Sequence, residues 1–128
     1  MSAALIVDDE PAILRLVAMV LSELGFETLT ARDAETAAEL LKSSKPDLIV
    51  TDVRLPGMDG VELARRIKTS RRLKTTPVLL MSAYSEPPHH HGDGFIAKPF
   101  HISELEEAFS RYIGTEGGGA GQKTGSPG

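Results

Sequence analysis

The apolar residues of this chain form two kinds of pattern that alternate along the sequence. Short continuous apolar runs occupy residues 4–7, 48–50, 78–81 and 95–97, and a weaker run lies at 26–31. Runs of this length are typical of strands buried on both faces of a parallel sheet. The pattern therefore predicts five strands with helices packed on both sides.

The first segment of helical period lies between the first two runs. Its apolar positions recur at helical spacing from Ile13 to Leu24. Pro11 stands near the predicted first turn and Gly25 just past the end, which is the usual placing of these two residues. This segment is predicted to be an amphipathic helix.

Three further helices are predicted from their starting residues. Asp33 is a favoured N-cap for the second helix, and the third begins near Gly60. The last is predicted to begin at Ser103, because Ser103 and Glu106 have the spacing of a capping box. Strands that alternate with helices define an α/β class with right-handed crossovers and a doubly wound parallel sheet.

One connection is too short for the full alternation. Only twelve residues, AYSEPPHHHGDG, separate Ser82 from Phe95, close to the minimum for a parallel crossover with its helix. Pro88 also disfavours helical geometry at Pro87. The fourth helix is therefore predicted to be shortened or missing.

The length and composition indicate one domain. The 128 residues are 41% hydrophobic and 25% charged, typical of a globular protein. The domain is predicted to span residues 1–113. The Gly-rich segment 114–128 has no apolar period, so it is predicted to be a flexible tail or linker.

Several function classes are disfavoured by the same sequence. No apolar run is long enough to cross a bilayer, and the N-terminus lacks the pattern of a signal peptide. The absence of cysteine removes thiolate chemistry, and the net charge of −4 disfavours broad binding to nucleic acid. We expect a cytoplasmic protein that neither inserts into membranes nor binds nucleic acid directly.

Polar side chains that could take part in binding or catalysis follow four of the predicted strands. Asp8 and Asp9 follow the first strand, Asp52 the third, Ser82 the fourth and Lys98 the fifth. Ligands of open α/β sheets bind outside the carboxyl ends of the strands. These five side chains are therefore the candidate site.

The three carboxylates would repel one another unless a cation lay between them. Mg²⁺ prefers oxygen ligands and keeps several waters, so we expect Asp9 and Asp52 as direct ligands and Asp8 as a ligand through water. Asp52 can also act as a nucleophile toward phosphorus. Lys98 supplies a second positive charge.

In combination, the motifs IVDDE, TDVRLPGMDG, MSA and KPF resemble the receiver domain of bacterial two-component response regulators, of the chemotaxis-regulator kind. The resemblance extends from about residue 3 to residue 113. It implies a flavodoxin-like fold whose five strands have the order 2-1-3-4-5.

The resemblance also implies a role for each site residue. Asp52 is the expected phosphoacceptor, Lys98 its ion-pair partner, and Ser82 the hydroxyl that contacts the phosphoryl group. Phe95 matches the aromatic switch residue, which turns inward when Ser82 is drawn toward the phosphate. The backbone carbonyl of Arg54 is expected to complete the protein ligands of Mg²⁺.

The implied function is a phosphorylation-dependent signalling switch. Its expected partners are a sensor histidine kinase or a histidine phosphotransfer protein as donor, and an unknown downstream protein. The domain would transfer the group only to itself and later lose it, so it is not expected to be an enzyme with turnover. Arg54 and Tyr84 are expected to tune the loss, with Tyr84 lengthening the lifetime of the phosphorylated state.

The short connection after Ser82 changes what the resemblance implies for output. In typical members of the family, the fourth helix, fifth strand and fifth helix together carry the signal to partners or form a dimer. That face is expected to be remodelled here. Ordinary dimerisation through it is therefore not expected.

Two other functions remain open on the sequence. A pseudo-receiver would keep the fold as a docking module without phosphorylation. A phosphohydrolase of the haloacid dehalogenase type would also form an aspartyl phosphate, but it needs a second aspartate where Arg54 stands. The set of residues around Asp52 argues against the first, and Arg54 against the second.

Some of these residues also have simpler interpretations. Asp9, shortly before Pro11, could cap the first helix. The adjacent histidines His89, His90 and His91 could suggest a metal site, but neighbours in a loop cannot easily face one ion. A basic cluster is interpreted as a solvated face rather than a nucleic-acid site, and it comprises Arg65, Arg66, Lys68, Arg71, Arg72 and Lys74.

Overall fold

A computed structural model of the protein describes residues 2–113. In chain order its elements are β1 Ala3–Val7, α1 Pro11–Glu23, β2 Glu27–Ala31, α2 Ala34–Leu41, β3 Leu48–Asp52, α3 Gly60–Lys68, β4 Val78–Ser82, β5 Gly94–Ala97 and α4 Ile102–Ser110. The predicted tail, 114–128, lies outside the described residues. Within residues 2–113, no helix is both long and apolar enough to cross a bilayer.

The five strands form one sheet in the order β2-β1-β3-β4-β5, and every neighbouring pair is parallel. This confirms the α/β class and the strand order expected from the resemblance. The strand order reverses between β1 and β3: the crossover from β1 leads to β2 at one edge, and those from β3 lead to β4 and β5 at the other. The carboxyl ends of β1 and β3 therefore form the crevice in which such sheets bind ligands.

Two hydrophobic clusters fill the space between the sheet and the helices. Alternate residues of β4 show the division: Leu79 and Met81 pack with α1 and α4, whereas Val78 and Leu80 pack with α2 and α3. All five residues of β3 and of β4 are buried. Burial on both faces explains why these strands are continuous apolar runs in the sequence.

Helices α1 and α2 follow the predicted signals, and α3 begins at Gly60 as predicted. Pro11 is the first residue of α1, and Gly25 adopts a φ of +99° just beyond its end. Asp33 caps α2 by accepting a 2.6 Å hydrogen bond from the N–H of Thr36. Asp59 caps α3 in the same way, with a 2.8 Å bond from Glu62.

The predicted start of the last helix was wrong. Helix α4 begins at Ile102, so Ser103 lies inside it. The Glu104 carboxylate accepts a 2.7 Å hydrogen bond from the N–H of His101, which is the reaching-back half of a capping box. Two pairs of residues have the three-residue spacing of a capping box: His101 with Glu104, and Ser103 with Glu106. The first pair forms the cap.

The connection between β4 and β5 contains no helix among residues 83–93, all of which the structure describes. This confirms that the fourth helix of the expected fold is missing. Its backbone lies directly on the sheet at Gly92. A Cβ atom there would be 3.1 Å from the carbonyl oxygen of Val78 and 3.3 Å from a methyl carbon of Leu80.

Gly60 brings the start of α3 against the end of β3. Its N–H donates a 2.9 Å hydrogen bond to the carbonyl of Val53. A Cβ atom at Gly60 would lie 2.1 Å from the carbonyl oxygen of Asp52, well inside contact distance. Only glycine permits this approach, and the approach fixes the backbone that carries Asp52.

We expect Gly60→Ala to lower the free energy of unfolding by about 3 kcal/mol, because the backbone at Asp52 would have to move away from the added Cβ atom. Gly25→Ala is the matched control, since its cost of about 1 kcal/mol comes only from the left-handed φ. Urea unfolding of both variants measures the difference. Equal losses would contradict the steric role of Gly60.

Candidate functional site

Three carboxylates meet at the carboxyl ends of β1 and β3. One oxygen from each of Asp8, Asp9 and Asp52 can be chosen so that all three lie within 4.8 Å of one another. Asp8 and Asp52 are buried, whereas Asp9 is exposed. The structure thus brings together the acidic residues that the sequence singled out.

Lys98 lies among these carboxylates. Its Nζ donates a 2.8 Å hydrogen bond to Oδ2 of Asp8, and lies 3.4 Å from Oδ2 of Asp52 and 3.5 Å from Oε1 of Glu10. Lys98 follows β5 directly and is joined to Pro99 by a cis peptide bond. One ammonium group therefore balances several carboxylates in a largely buried place.

The electrostatic state of Asp52 reflects this crowding. Burial raises the pKa of Asp52 above its ordinary value, and the charge of Asp8 raises it further. The charge and hydrogen bond of Lys98, and the backbone N–H of Arg54, act in the opposite direction. Because the pKa remains raised, the ionised form of Asp52 is under-compensated by the protein alone.

The pKa of Lys98 is raised despite its surroundings. Burial alone would lower it, but the hydrogen bond and charge of Asp8, together with those of Asp52, outweigh that effect. Lys98 therefore stays a cation across the physiological pH range. A permanent cation beside Asp52 suits chemistry in which negative charge accumulates.

Asp8 is fully engaged by the protein. Its Oδ1 accepts a 2.9 Å hydrogen bond from the N–H of Glu10, and its Oδ2 accepts from Lys98. Glu10, not Asp9, occupies the N-cap position of α1, and no side chain caps that end. The helix-cap interpretation of Asp9 was therefore wrong, which leaves the exposed Asp9 carboxylate available as a ligand.

The donor set fits a hard divalent cation. All three groups offer oxygen atoms, which Mg²⁺ prefers, and their mutual repulsion would be relieved by a cation. Asp9 is exposed, and Asp52 lies beside it at the carboxyl end of β3, so these two carboxylates are the candidates for direct contact with such an ion. Asp8, held on both oxygens, is better suited to act through water.

Two residues that sequence reasoning missed support this site. Glu10 lies near Lys98, and Glu35 at the start of α2 accepts a 3.1 Å hydrogen bond from the N–H of Met58. Glu35 also packs against Gly57, whose φ is +75°. The loop that carries Arg54 is thus tied down from α2, a long-range contact that no local pattern in the sequence reveals.

Ser82, Tyr84 and Arg54 form a group beside the carboxylates. Ser82 ends β4 and is buried, and its Oγ accepts a 3.0 Å hydrogen bond from the N–H of Tyr84. The guanidinium carbon of Arg54 lies 4.4 Å above the centre of the Tyr84 ring, within the range of a cation–π contact. Tyr84 is otherwise 62% exposed.

Phe95 lies on β5 opposite Leu80 and packs on the cluster under α2 and α3. Its ring stacks against that of His90, with centroids 6.3 Å apart and planes inclined by 29°. Among the described residues, the three histidines do not converge on a shared metal position with other ligands. His89 and His91 are exposed, whereas His90 turns inward.

Much of the basic cluster makes contacts within the protein. Arg65 and Arg66 both bond Glu62, and their hydrogen bonds lower the pKa of that carboxyl to about 2. Lys68 lies 2.6 Å from Asp93. Arg72 donates to the backbone carbonyls of Leu41 and Ser44. These contacts account for much of the cluster without a nucleic-acid partner.

Comparison with known proteins agrees with the fold. The profile of the family described as "Response regulator receiver domain" matches residues 4–110. The chain belongs to this family, and it is a receiver domain of the two-component type. Phosphorylation-dependent signalling is the function of that family.

Two curated relatives illustrate the similarity. The chain is 36% identical to the chemotaxis protein CheY of Pseudomonas aeruginosa over 114 residues, which are 84% of this chain and 92% of that protein. It is 37% identical to the phosphate regulon transcriptional regulatory protein PhoB of the same organism, over 79% of this chain but only 47% of that protein. The chain thus spans about half the length of PhoB.

Solved structures are similar as well. A signal receiver domain of a histidine kinase from Syntrophus aciditrophicus has a TM-score of 0.83 at 31% identity, covering 94% of this chain and 96% of that one. The response regulator TrrA of Thermotoga maritima, in complex with Mg²⁺ and BeF, has a TM-score of 0.79 at 32% identity, covering 88% of this chain and 100% of that one.

We expect Asp52→Asn to raise the free energy of unfolding of the metal-free protein at pH 7 by about 1 kcal/mol, a typical cost of a strained functional group. The folded-state pKa of Asp52 lies above its ordinary value of 3.8, so ionisation costs stability as pH rises through the folded pKa. The gain should therefore shrink as pH falls toward that ordinary value.

Urea unfolding at several pH values without divalent ions measures this gain. Asp59→Asn is the control, because asparagine caps a helix about as well as aspartate does. A less stable Asp52→Asn variant at pH 7 would contradict the electrostatic description of the site.

Proposed function

We propose that this receiver domain accepts a phosphoryl group on Asp52 and changes its binding to a downstream partner as a result. The observation that carries the proposal is the position of the buried Asp52 carboxylate. It lies beside two further carboxylates and 3.4 Å from the ammonium group of Lys98. This arrangement provides a nucleophile and a fixed cation at one sheet edge.

The proposed reaction is an in-line transfer. An Asp52 carboxylate oxygen forms a bond to phosphorus while the bond from phosphorus to the imidazole nitrogen of a phosphohistidine donor breaks. Lys98 exchanges part of its contact with Asp8 for the new phosphoryl oxygens, which keeps the transferred charge paired. The products are an aspartyl phosphate and a free histidine on the donor.

Mg²⁺ is the proposed cofactor. Asp9 and Asp52 would hold it directly, Asp8 through water, and Arg54 through its backbone carbonyl. When bound, the ion would neutralise charge on the phosphoryl oxygens. The complex of TrrA with Mg²⁺ and BeF supports this choice by similarity.

Ser82 and Phe95 are the proposed switch. The Ser82 hydroxyl, which now accepts from the N–H of Tyr84, would turn to the phosphoryl group. The space that it leaves would allow the partly buried Phe95 ring to rotate inward. A rotamer change of this kind converts a local charge into a new surface shape.

The proposed partners are a sensor histidine kinase or a histidine phosphotransfer protein, and a downstream protein that reads the switch. Direct binding of nucleic acid is not part of the proposal. The domain transfers the phosphoryl group to itself, and water later hydrolyses the aspartyl phosphate to inorganic phosphate and the free Asp52 carboxylate, so we propose no catalytic turnover of a free substrate.

Incubation with acetyl phosphate and Mg²⁺ tests the proposal. We expect intact-mass analysis to show the addition of one phosphoryl group to the wild type and none to Asp52→Asn, because the amide is not a nucleophile. Chelation of Mg²⁺ should abolish the addition. An equal mass gain in both proteins, or none in either, would reject Asp52 as the acceptor.

Tyr84 is expected to prolong the phosphorylated state. Its backbone N–H bonds Ser82, and its exposed ring stacks against Arg54, so we propose that the ring obstructs water that approaches Asp52. We expect Tyr84→Ala to speed the loss of phosphate by about threefold or more, or about 0.7 kcal/mol of barrier. The decay of phosphoprotein measured with time gives the rate.

Tyr84→Phe is the matched control, because it keeps the ring and should decay like the wild type. Arg54→Ala should also speed the decay, since the ring loses the group that holds it. An unchanged or slower decay in Tyr84→Ala would contradict the shielding role.

A further inference from the structure

In typical receivers a helix between β4 and β5 lies next to the switch residue, which here is Phe95. This chain lacks that helix, so another segment must cover Phe95 and transmit its movement. Residues 83–93 provide that cover in a different way. The backbone at Gly92 lies against Val78 and Leu80, and one side chain of the connection, His90, stacks on Phe95. The connection is therefore packed on the sheet and is not a loose loop.

His90 differs from its two neighbours. Its side chain is only 13% exposed, while His89 and His91 are exposed. Both neighbours have left-handed backbone conformations, with φ values of +53° and +68°, which are uncommon for residues other than glycine. These two unusual conformations accompany the insertion of the His90 ring between them.

Three contacts fix the position of the His90 ring. Its Nδ1 accepts a 3.0 Å hydrogen bond from the N–H of Gly92, so in the neutral ring the proton is on Nε2. That Nε2 then donates a 2.8 Å hydrogen bond to the Glu86 carboxylate. The third contact is the stack on Phe95.

These contacts join the switch residue to the whole connection. Both hydrogen bonds of His90 are made within residues 86–92, whereas its ring contact is made with β5. If Phe95 rotates inward, the stacked surface separates, or His90 follows and pulls Glu86 and Gly92 with it. In both cases the arrangement of residues 86–92 depends on the rotamer of Phe95.

We propose that His90 is a positioning residue for Phe95, and that residues 86–92 form the surface that changes on phosphorylation in place of the missing helix. This inference rests on the proposed function of Asp52, Ser82 and Phe95. His90 holds Phe95 in its present rotamer, so it opposes the switch and also transmits it.

The test follows the backbone amides of the full chain by NMR before and after addition of Mg²⁺ and beryllofluoride. In the wild type, we expect amide shifts beside Asp52 and Ser82 and also at Glu86 and residues 89–92, since Pro87 and Pro88 have no amide proton. In His90→Ala, the shifts beside Asp52 should persist while those of residues 86–92 fall by at least half. Acetyl phosphate should also phosphorylate this variant at least twofold faster, because Phe95 is no longer held.

Two kinds of variant separate this role from a general effect on folding. Glu86→Ala removes only the Nε2 partner, and Glu86 is 58% exposed, so this variant decides the question if His90→Ala does not fold. Glu86→Ala should change the amide shifts and the phosphorylation rate in the same direction as His90→Ala does, but by a smaller amount. His89→Asn and His91→Asn are matched controls, because asparagine tolerates left-handed backbone, and both should behave like the wild type.

The outcomes distinguish the two proposals. If beryllofluoride moves the amides beside Asp52 but leaves residues 86–92 unmoved in the wild type, the inference is rejected and the phosphoacceptor stands. The inference also fails if His90→Ala responds as His89→Asn does. If no amide beside Asp52 responds and Asp52 accepts no phosphoryl group, both proposals fail together.

Discussion

The contact between Lys98 and the carboxylates is the constraint on which the rest of the structure depends. Lys98 follows β5, while Asp8 follows β1, and the sheet order puts three strand spacings between them. At roughly 4.8 Å for each spacing, about 14 Å separates the two strands. A 2.8 Å bond between the side chains therefore requires a long amine, convergent strand ends and a small residue such as Ser82 on β4, one of the two strands between them. Parallel strand order brings both residues to the same edge of the sheet, where this contact can form.

The sequence predicts the parts of this protein that depend on local pattern. The five strands, the start of α1 near Pro11, the cap at Asp33, the start of α3 at Gly60 and the missing helix all follow from period, capping chemistry or chain length. The start of α4 was mispredicted because two overlapping capping patterns compete, and tertiary packing chooses between them. Asp9 was ambiguous for a similar reason, since a carboxylate before a helix can be a cap or a ligand.

Other features lie beyond sequence reasoning because they join distant segments. Three contacts can be recognised only when the path of the backbone is known. They are the hydrogen bond of Glu35 to the loop after β3, the contact of Arg54 with Tyr84 and the stack of His90 on Phe95. The convergence of Asp8, Asp9, Asp52 and Lys98 was foreseen only because parallel strands share one carboxyl edge. The roles assigned to these residues remain predictions, and the geometry adds that Lys98 is bound more closely to Asp8 than to Asp52.

The short connection between β4 and β5 also bears on fidelity among related signalling proteins. Many receivers share one fold, so a cell that holds several of them must keep their pathways separate. A partner that binds a helix between the fourth and fifth strands would not find that surface on this chain. The segment contains two prolines and three histidines instead. Specificity needs a penalty against wrong partners as well as attraction to the right one. A partner that requires a helix at residues 83–93 would meet such a penalty here, since that segment contains none.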